Sequence, residues 1–186
     1  MLSQIRPAIV MTLAFTLLTG VAYPLTMTGI GQSLFPYQAN GSRIERDGNV
    51  IGSNLIGQNF TDPGYFWSRP SATGTDPYNA SASSGSNYGA TDRRLVDRVA
   101  AAVDGRSTVP ADAVTTSGSG LDPHISPENA RSQMDRIATA RGVDRAAIAR
   151  LVSDMTEAPA LGIFGEYRVN VLALNLALDG LTQVAR

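Results

Sequence analysis

A chain of 186 residues that is 43% apolar, 17% charged and 6% aromatic has room for one modest domain plus an attached segment. Its net charge of -1 leaves no broad basic field for nucleic acid, and the absence of cysteine excludes disulfide frameworks, thiol catalysis and iron–sulfur clusters. All 15 basic residues are arginine, which excludes a Walker phosphate loop and lysine Schiff-base chemistry.

The first predicted element is apolar. No charge occurs from Pro7 to Ser42, and Ala8 to Gly31 is almost wholly apolar or small. As a helix these 24 residues extend roughly 36 Å, enough for a hydrocarbon core of about 30 Å. The reading is one transmembrane anchor over 8–31, in contact with lipid. Pro24 removes a backbone hydrogen bond, which a helix packed on neighbouring spans accepts more readily than a lone one, so Pro24 is a candidate partner contact. A cleavable signal peptide ending near Gly20-Val21-Ala22 is the competing reading. The apolar run continues past that point to Gly31, which favours a retained anchor. Arg6 then stays on the cytoplasmic side and the domain over 35–186 is exported to the periplasm.

Short strands are expected at Val50-Ile51, at Asn54–Gln58 and at Tyr65–Ser68. From Gly57 to Ala90 only Asp62, Arg69 and Asp76 are charged, a linker-like composition. Yet Phe60, Tyr65, Phe66, Trp67, Tyr78 and Tyr88 are half of all the aromatics, a payload that disordered segments lack. The segment therefore reads as ordered loops with aromatic anchors, and Phe66, Trp67, Tyr78 and Tyr88 are candidate partner contacts. Helices follow. Residues 92–104 place Leu95, Val96, Val99 and Val103 on one face. Ser126 caps a helix with Pro127 at its first position, Glu128 in its first turn and Ala130, Met134, Ile137 and Ala138 facing inward to Gly142. Asp144 caps the next, with Ile148, Leu151, Val152 and Met155 as its buried stripe. The last helix, about 170–182, is apolar nearly all round and too short to span a membrane, so it should be the central core helix. The fold class is α+β: a single N-terminal transmembrane helix, then one domain of short strands and loops followed by helices.

The chemistry-bearing groups are sparse. Asp122, His124 and Ser126 contain the residue types of a hydrolase triad, but at alternate positions of one local segment they cannot align nucleophile, base and orienter. His124, the only histidine, cannot build a multi-histidine zinc site. Ser117-Gly118-Ser119-Gly120 and Gly85-Ser86-Asn87-Tyr88-Gly89 read as tight turns rather than as phosphate or cation loops. Asp47, Asp62, Asp76 and Glu166 have no catalytic spacing, so neither catalytic residues nor metal ligands are assigned.

Gly52–Phe60, Tyr65–Ala72, Tyr78-Asn79, Gly85-Ser86-Asn87, Pro110–Ser126, Ala140-Arg141-Gly142 and Arg168–Leu178 resemble, in order and spacing, the C subunit of the Kdp potassium-transporting P-type ATPase. The likeness runs from about residue 5 to 183. It implies a non-catalytic accessory subunit in the bacterial inner membrane, needed for assembly and stability of an ATP-driven potassium uptake complex. The implied partners are a K⁺-selecting channel-like subunit, a P-type subunit that hydrolyses ATP and a small one-span subunit. ATP, Mg²⁺ and K⁺ are then used by the complex, with no cofactor bound by this chain. The missing lysine agrees, since this chain cannot supply the phosphorylated aspartate loop. The resemblance also implies assistance in ATP binding. That conflicts with an exported domain, since ATP is cytosolic, and the topology takes precedence. Three alternatives remain: a cover over the external K⁺ entrance, a membrane-anchored glycan- or peptide-binding module with an aromatic stacking surface, and an anchored periplasmic hydrolase.

Overall fold

The computed structural model describes residues 2–184. Two compact units divide at Val50/Ile51.

In the first unit, α1 (Ile5–Leu17) and α2 (Tyr23–Leu34) are joined by a π-helical turn, Leu18–Ala22, into one continuous helix of 30 residues. That helix is long and apolar enough to cross a membrane, and none of its most apolar stretch is buried. The π turn accommodates Pro24. A proline there offers no N–H to the carbonyl four residues back, and the wider turn carries that mismatch without breaking the helix. Beyond α2 come a single turn, α3 (Pro36–Ala39), and β1 (Arg43–Arg46) paired with β2 (Asn49–Ser53), the strand in which the division falls. Asp47-Gly48 connects these strands with φ of 53° and 76°, the left-handed pair that a two-residue hairpin requires.

The second unit carries the core. Its helices are α4 (Arg93–Val103), α5 (Ala111–Val114), α6 (Pro127–Arg141), α7 (Arg145–Asp154) and α8 (Val171–Val184). Helix ends follow the cap chemistry of the sequence. Asp92, Ser126 and Asp144 each accept a hydrogen bond from a first-turn N–H, and Gly142 closes α6 at φ 65°. Three short strands, β3 (His124–Ile125), β4 (Thr156–Glu157) and β5 (Arg168–Asn170), form an antiparallel sheet in the order β3-β5-β4. Val169 of β5 lies opposite both Ile125 and Thr156 and is fully buried. Around it gather Phe66, Ile125, Ala130, Met134, Ile137, Ile148, Val152, Val171, Leu174 and Leu178. Apart from Ala130, each such side chain contributes about 1.5–3 kcal/mol of transfer free energy. The architecture is the expected α+β, with α8 packed between α7 and β5 as the central helix.

Two expected strands are absent. Asn54–Gln58 forms only an isolated bridge, Ser53 to Ile56, and Tyr65–Ser68 has no strand partner. Side chains replace the neighbouring strand: the Ser68 hydroxyl donates to the Gln58 carbonyl at 2.9 Å, and Asn175 holds both backbone groups of Phe66. The backbone demand is met without a sheet.

Candidate functional site

The segment 57–78 is fastened from underneath. The Phe66 N–H donates to Asn175 Oδ1 at 2.8 Å, and Asn175 Nδ2 donates to the Phe66 carbonyl at 3.0 Å, both inside the core. Phe66 is thereby fully buried against its own domain, which corrects its assignment as a partner contact. Trp67, the next residue, turns outward and is 39% exposed. Gln133 of α6 receives the Trp67 N–H at 2.8 Å and donates to the Trp67 carbonyl at 3.1 Å, while the Arg136 guanidinium lies 3.8 Å from the indole centroid. Burial pushes the Arg136 guanidinium below its usual range.

Tyr78 sits at φ 63°, with its hydroxyl donating to the Arg69 carbonyl and its N–H to Ser71 Oγ at 3.0 Å. Burial raises its phenol above the ordinary value. Gly57 makes room for it: a Cβ there would fall 2.4 Å from the Tyr78 ring and 2.8 Å from the Asp122 carbonyl. Trp67 and Tyr78 thus line one cleft of about 400 Å³, together with Phe60, Pro70 and Pro77. Tyr88 lies elsewhere, half-buried, with the guanidinium carbons of Arg94 and Arg98 at 4.5 and 5.3 Å from its ring centroid. Pro24, exposed on α2, belongs to the first unit.

The two Gly/Ser-rich loops meet. Ser84 N–H donates to the Ser119 carbonyl at 2.9 Å, and a Cβ on Gly85 would lie 3.0 Å from the Gly118 carbonyl. Gly120 is at φ 68°, where a Cβ would strike Thr73 at 2.7 Å. Their glycines serve backbone-to-backbone packing.

A larger cleft, about 480 Å³, opens where α5, β3 and β5 meet. Arg69 pairs with Asp122 at 3.0 Å and also donates to the carbonyls of Thr115 and Thr116. Asp122 further accepts from the His124 N–H at 3.0 Å and faces His124 Nδ1 at 3.3 Å. Burial raises the Asp122 carboxyl, but the hydrogen bonds from His124 and Arg69 outweigh it and hold the group below its ordinary value. Ser126 does not turn to His124. Its N–H and hydroxyl bond to Asp112 at 2.7 and 2.9 Å, and Asn129 Nδ2 joins the same carboxylate at 3.0 Å. The triad residue types are thus split between two local networks, and Ser126 is spent on capping α6.

Asp112, Asn129 and Asn175 were not singled out in sequence. Asp112 carried one faint signal, its place in the first turn of a short helix after Pro110. Polar residues interrupting a buried stripe, as Asn129 and Asn175 do, were the usable signal for the other two. Four carboxylates line the larger cleft, Asp112, Asp122, Glu128 and Glu166, against Arg69 and Arg168. The carboxylates outnumber the guanidinium groups there.

Comparison with known proteins gives one consistent likeness. The family profile described as KdpC, K⁺-transporting ATPase, c chain, matches residues 5–180. The chain is 56% identical over 188 residues to the potassium-transporting ATPase KdpC subunit of Polaromonas naphthalenivorans, covering 97% of this chain and 96% of that protein. It is 54% identical over 188 residues to the protein of the same description from Sorangium cellulosum, covering 97% and 99%. Against that of Allorhizobium ampelinum it is 56% identical over 191 residues, covering 98% and 100%.

Proposed function

Because the chain belongs to the KdpC family, the c chain of K⁺-transporting ATPase, we propose that it is a non-catalytic accessory subunit of an ATP-driven potassium uptake complex. Its role is to hold together the K⁺-selecting channel-like subunit, the P-type ATP-hydrolysing subunit and a small one-span subunit. The N-terminal helix anchors it in the bacterial inner membrane, with the N-terminus cytoplasmic and residues 35–186 as a periplasmic domain. ATP, Mg²⁺ and K⁺ are handled by the partner subunits.

The observation that carries this reading is the extent of the match, which takes in both the apolar helix and the polar domain. Two features support it. The helix Ile5–Leu34 buries none of its apolar stretch against the chain itself, as a lipid- or partner-facing span would not. In the second unit, Trp67 and Tyr78 share a cleft, a composition suited to protein contact. Trp67 and Tyr78, with Tyr88 and Pro24, are proposed as contacts.

Purification of the full chain from its native membranes in mild detergent tests the proposal. Larger membrane proteins, a P-type ATPase among them, should co-purify and be identified by mass spectrometry. A chain recovered alone refutes the subunit reading. Intact-mass measurement of the same sample should show the N-terminal helix retained, and a mass lacking residues 1–22 refutes the anchor.

A further inference from the structure

Between β4 and β5 lies a second, tighter hairpin. The Ala160 N–H donates to the Phe164 carbonyl at 2.9 Å, the Phe164 N–H donates back at 3.0 Å, and the Gly162 N–H reaches the Pro159 carbonyl at 2.9 Å. The backbone is fixed, while its large side chains stand in solvent: Leu161 is 90% exposed, Ile163 76%, Phe164 63% and Tyr167 61%. These four are half of the eight large apolar side chains exposed from Val50 to Tyr167, so apolar surface is concentrated here rather than scattered.

Leu161 supplies a second, independent observation. Its φ is 55°, a conformation that suits glycine or asparagine and disfavours a leucine. It gains no burial in return. Neither local conformation nor packing within the chain favours leucine at this position, so its benefit lies in something that covers it.

We propose that this hairpin is a plug whose Leu161, Ile163 and Phe164 enter an apolar socket on another protein subunit of the same ATPase. The inference rests on the accessory-subunit reading above. Glu166 is the only charge from Ala158 to Tyr167, and Arg168 beyond it pairs with Glu157 at 2.9 Å. A tip built for lipid would carry arginine at its flank to meet anionic headgroups, and an acidic flank opposes that. A second copy docking through the same patch would bring Glu166 towards its own twin. A protein socket with a donor-bearing rim accepts both the apolar tip and the carboxylate.

The test compares the parent with the double variant Leu161→Asn, Phe164→Ser, both full length and expressed with the partner subunits. Asparagine suits the left-handed backbone, so the variant chain on its own in detergent should melt at or above the parent's temperature. Recovery of partner subunits with the variant should fall about tenfold or more. Undiminished recovery overturns the plug. So does a lower melting temperature, because the side chains then serve the chain's own fold. A photo-crosslinking residue in place of Phe164 should give an adduct with a larger subunit, whereas adducts only with lipid, or only with a second copy, overturn the choice of occupant. If the parent itself recovers no partner, the accessory-subunit reading has failed first, and the plug falls with it.

Discussion

Replacing Asn175 by leucine isolates what fastens the aromatic segment to the core. Asn175 is 2% exposed on α8, and its amide pairs with both the N–H and the carbonyl of Phe66. Leucine has the same branching but is bulkier, so no cavity is opened and any crowding only adds to the loss, while two buried backbone groups lose their partners. Each unmade buried hydrogen bond costs about 1–3 kcal/mol, or about 2–6 kcal/mol for the pair. The apolar side chain recovers about 1 kcal/mol through burial. A net loss of about 3 kcal/mol is a large share of the 5–15 kcal/mol that typically stabilises a domain. For a domain of this size it corresponds to a melting temperature lowered by roughly 6–12 °C. The assay is thermal melting of the full chain in detergent, followed by amide hydrogen exchange at Phe66. A comparator is Leu174→Ala, a cavity substitution costing about 2–5 kcal/mol that leaves the Asn175 clamp in place. Both variants should melt early, and only Asn175→Leu should selectively lose protection at the Phe66 amide. Melting within about 2 °C of the parent, with that protection intact, would refute the clamp.

Three further outcomes follow from the larger cleft. Ser126→Ala removes the cap on α6 and one partner of Asp112, so the urea midpoint should drop by the equivalent of about 1–2 kcal/mol, and an unchanged midpoint contradicts the shared network. The Asp122 carboxyl lies below its ordinary 3.8, so its stabilisation is complete above that value and is lost as pH falls through the lower folded value; Asp122→Asn should flatten the acid limb of the stability–pH curve below about pH 4, and an identical limb counts against it. His124→Ala should leave ATP hydrolysis by the assembled complex within a few-fold of the parent, and a loss of about a thousandfold with normal assembly would overturn its structural role.

The helices were legible because their signals are local. Ser126 before Pro127, Asp144 before Arg145 and Gly142 after Arg141 set ends by cap chemistry that depends on a few neighbouring atoms. The nearly all-round apolar surface of α8 named the central helix for the same reason. Of the strands, only β2 was legible, at Val50-Ile51. Strands of two or three residues, such as His124–Ile125 and Thr156–Glu157, carry too few positions to show a period of two, and the partner of His124–Ile125 lies far along the chain. The Asp47-Gly48 turn went unread although Asp-Gly is a hairpin signal, and Arg43–Arg46 was missed because its alternation holds a single apolar residue, Ile44. At the candidate site, aromatic content pointed to anchored loops over 57–90, but it could not say which ring faced inward. One backbone clamp from Asn175 decides that Phe66 is core, and Trp67 alternates to the outside.

The composition that imitates a linker is what orders the loops. With so little sheet, backbone groups from 51 to 70 need other partners, and uncharged amides and hydroxyls provide them: Asn170 donates to the Asn54 carbonyl, Gln58 to that of Ile51, and Ser68 to that of Gln58. Asn175 and Gln133 hold Phe66 and Trp67 in turn. A lysine or glutamate in these places would bring a charge that costs several kcal/mol to bury and titrates or responds to salt. Asparagine, glutamine and serine do neither. These amide and hydroxyl ties do not titrate, and the sensitivity of the segment to pH and salt rests with Asp62, Arg136 and Arg141, which bind the backbone of residues 63–65. Low charge and high Asn/Ser content, which mark disorder when aromatics are absent, mark an irregular but fixed surface when each amide has a particular backbone group to bind.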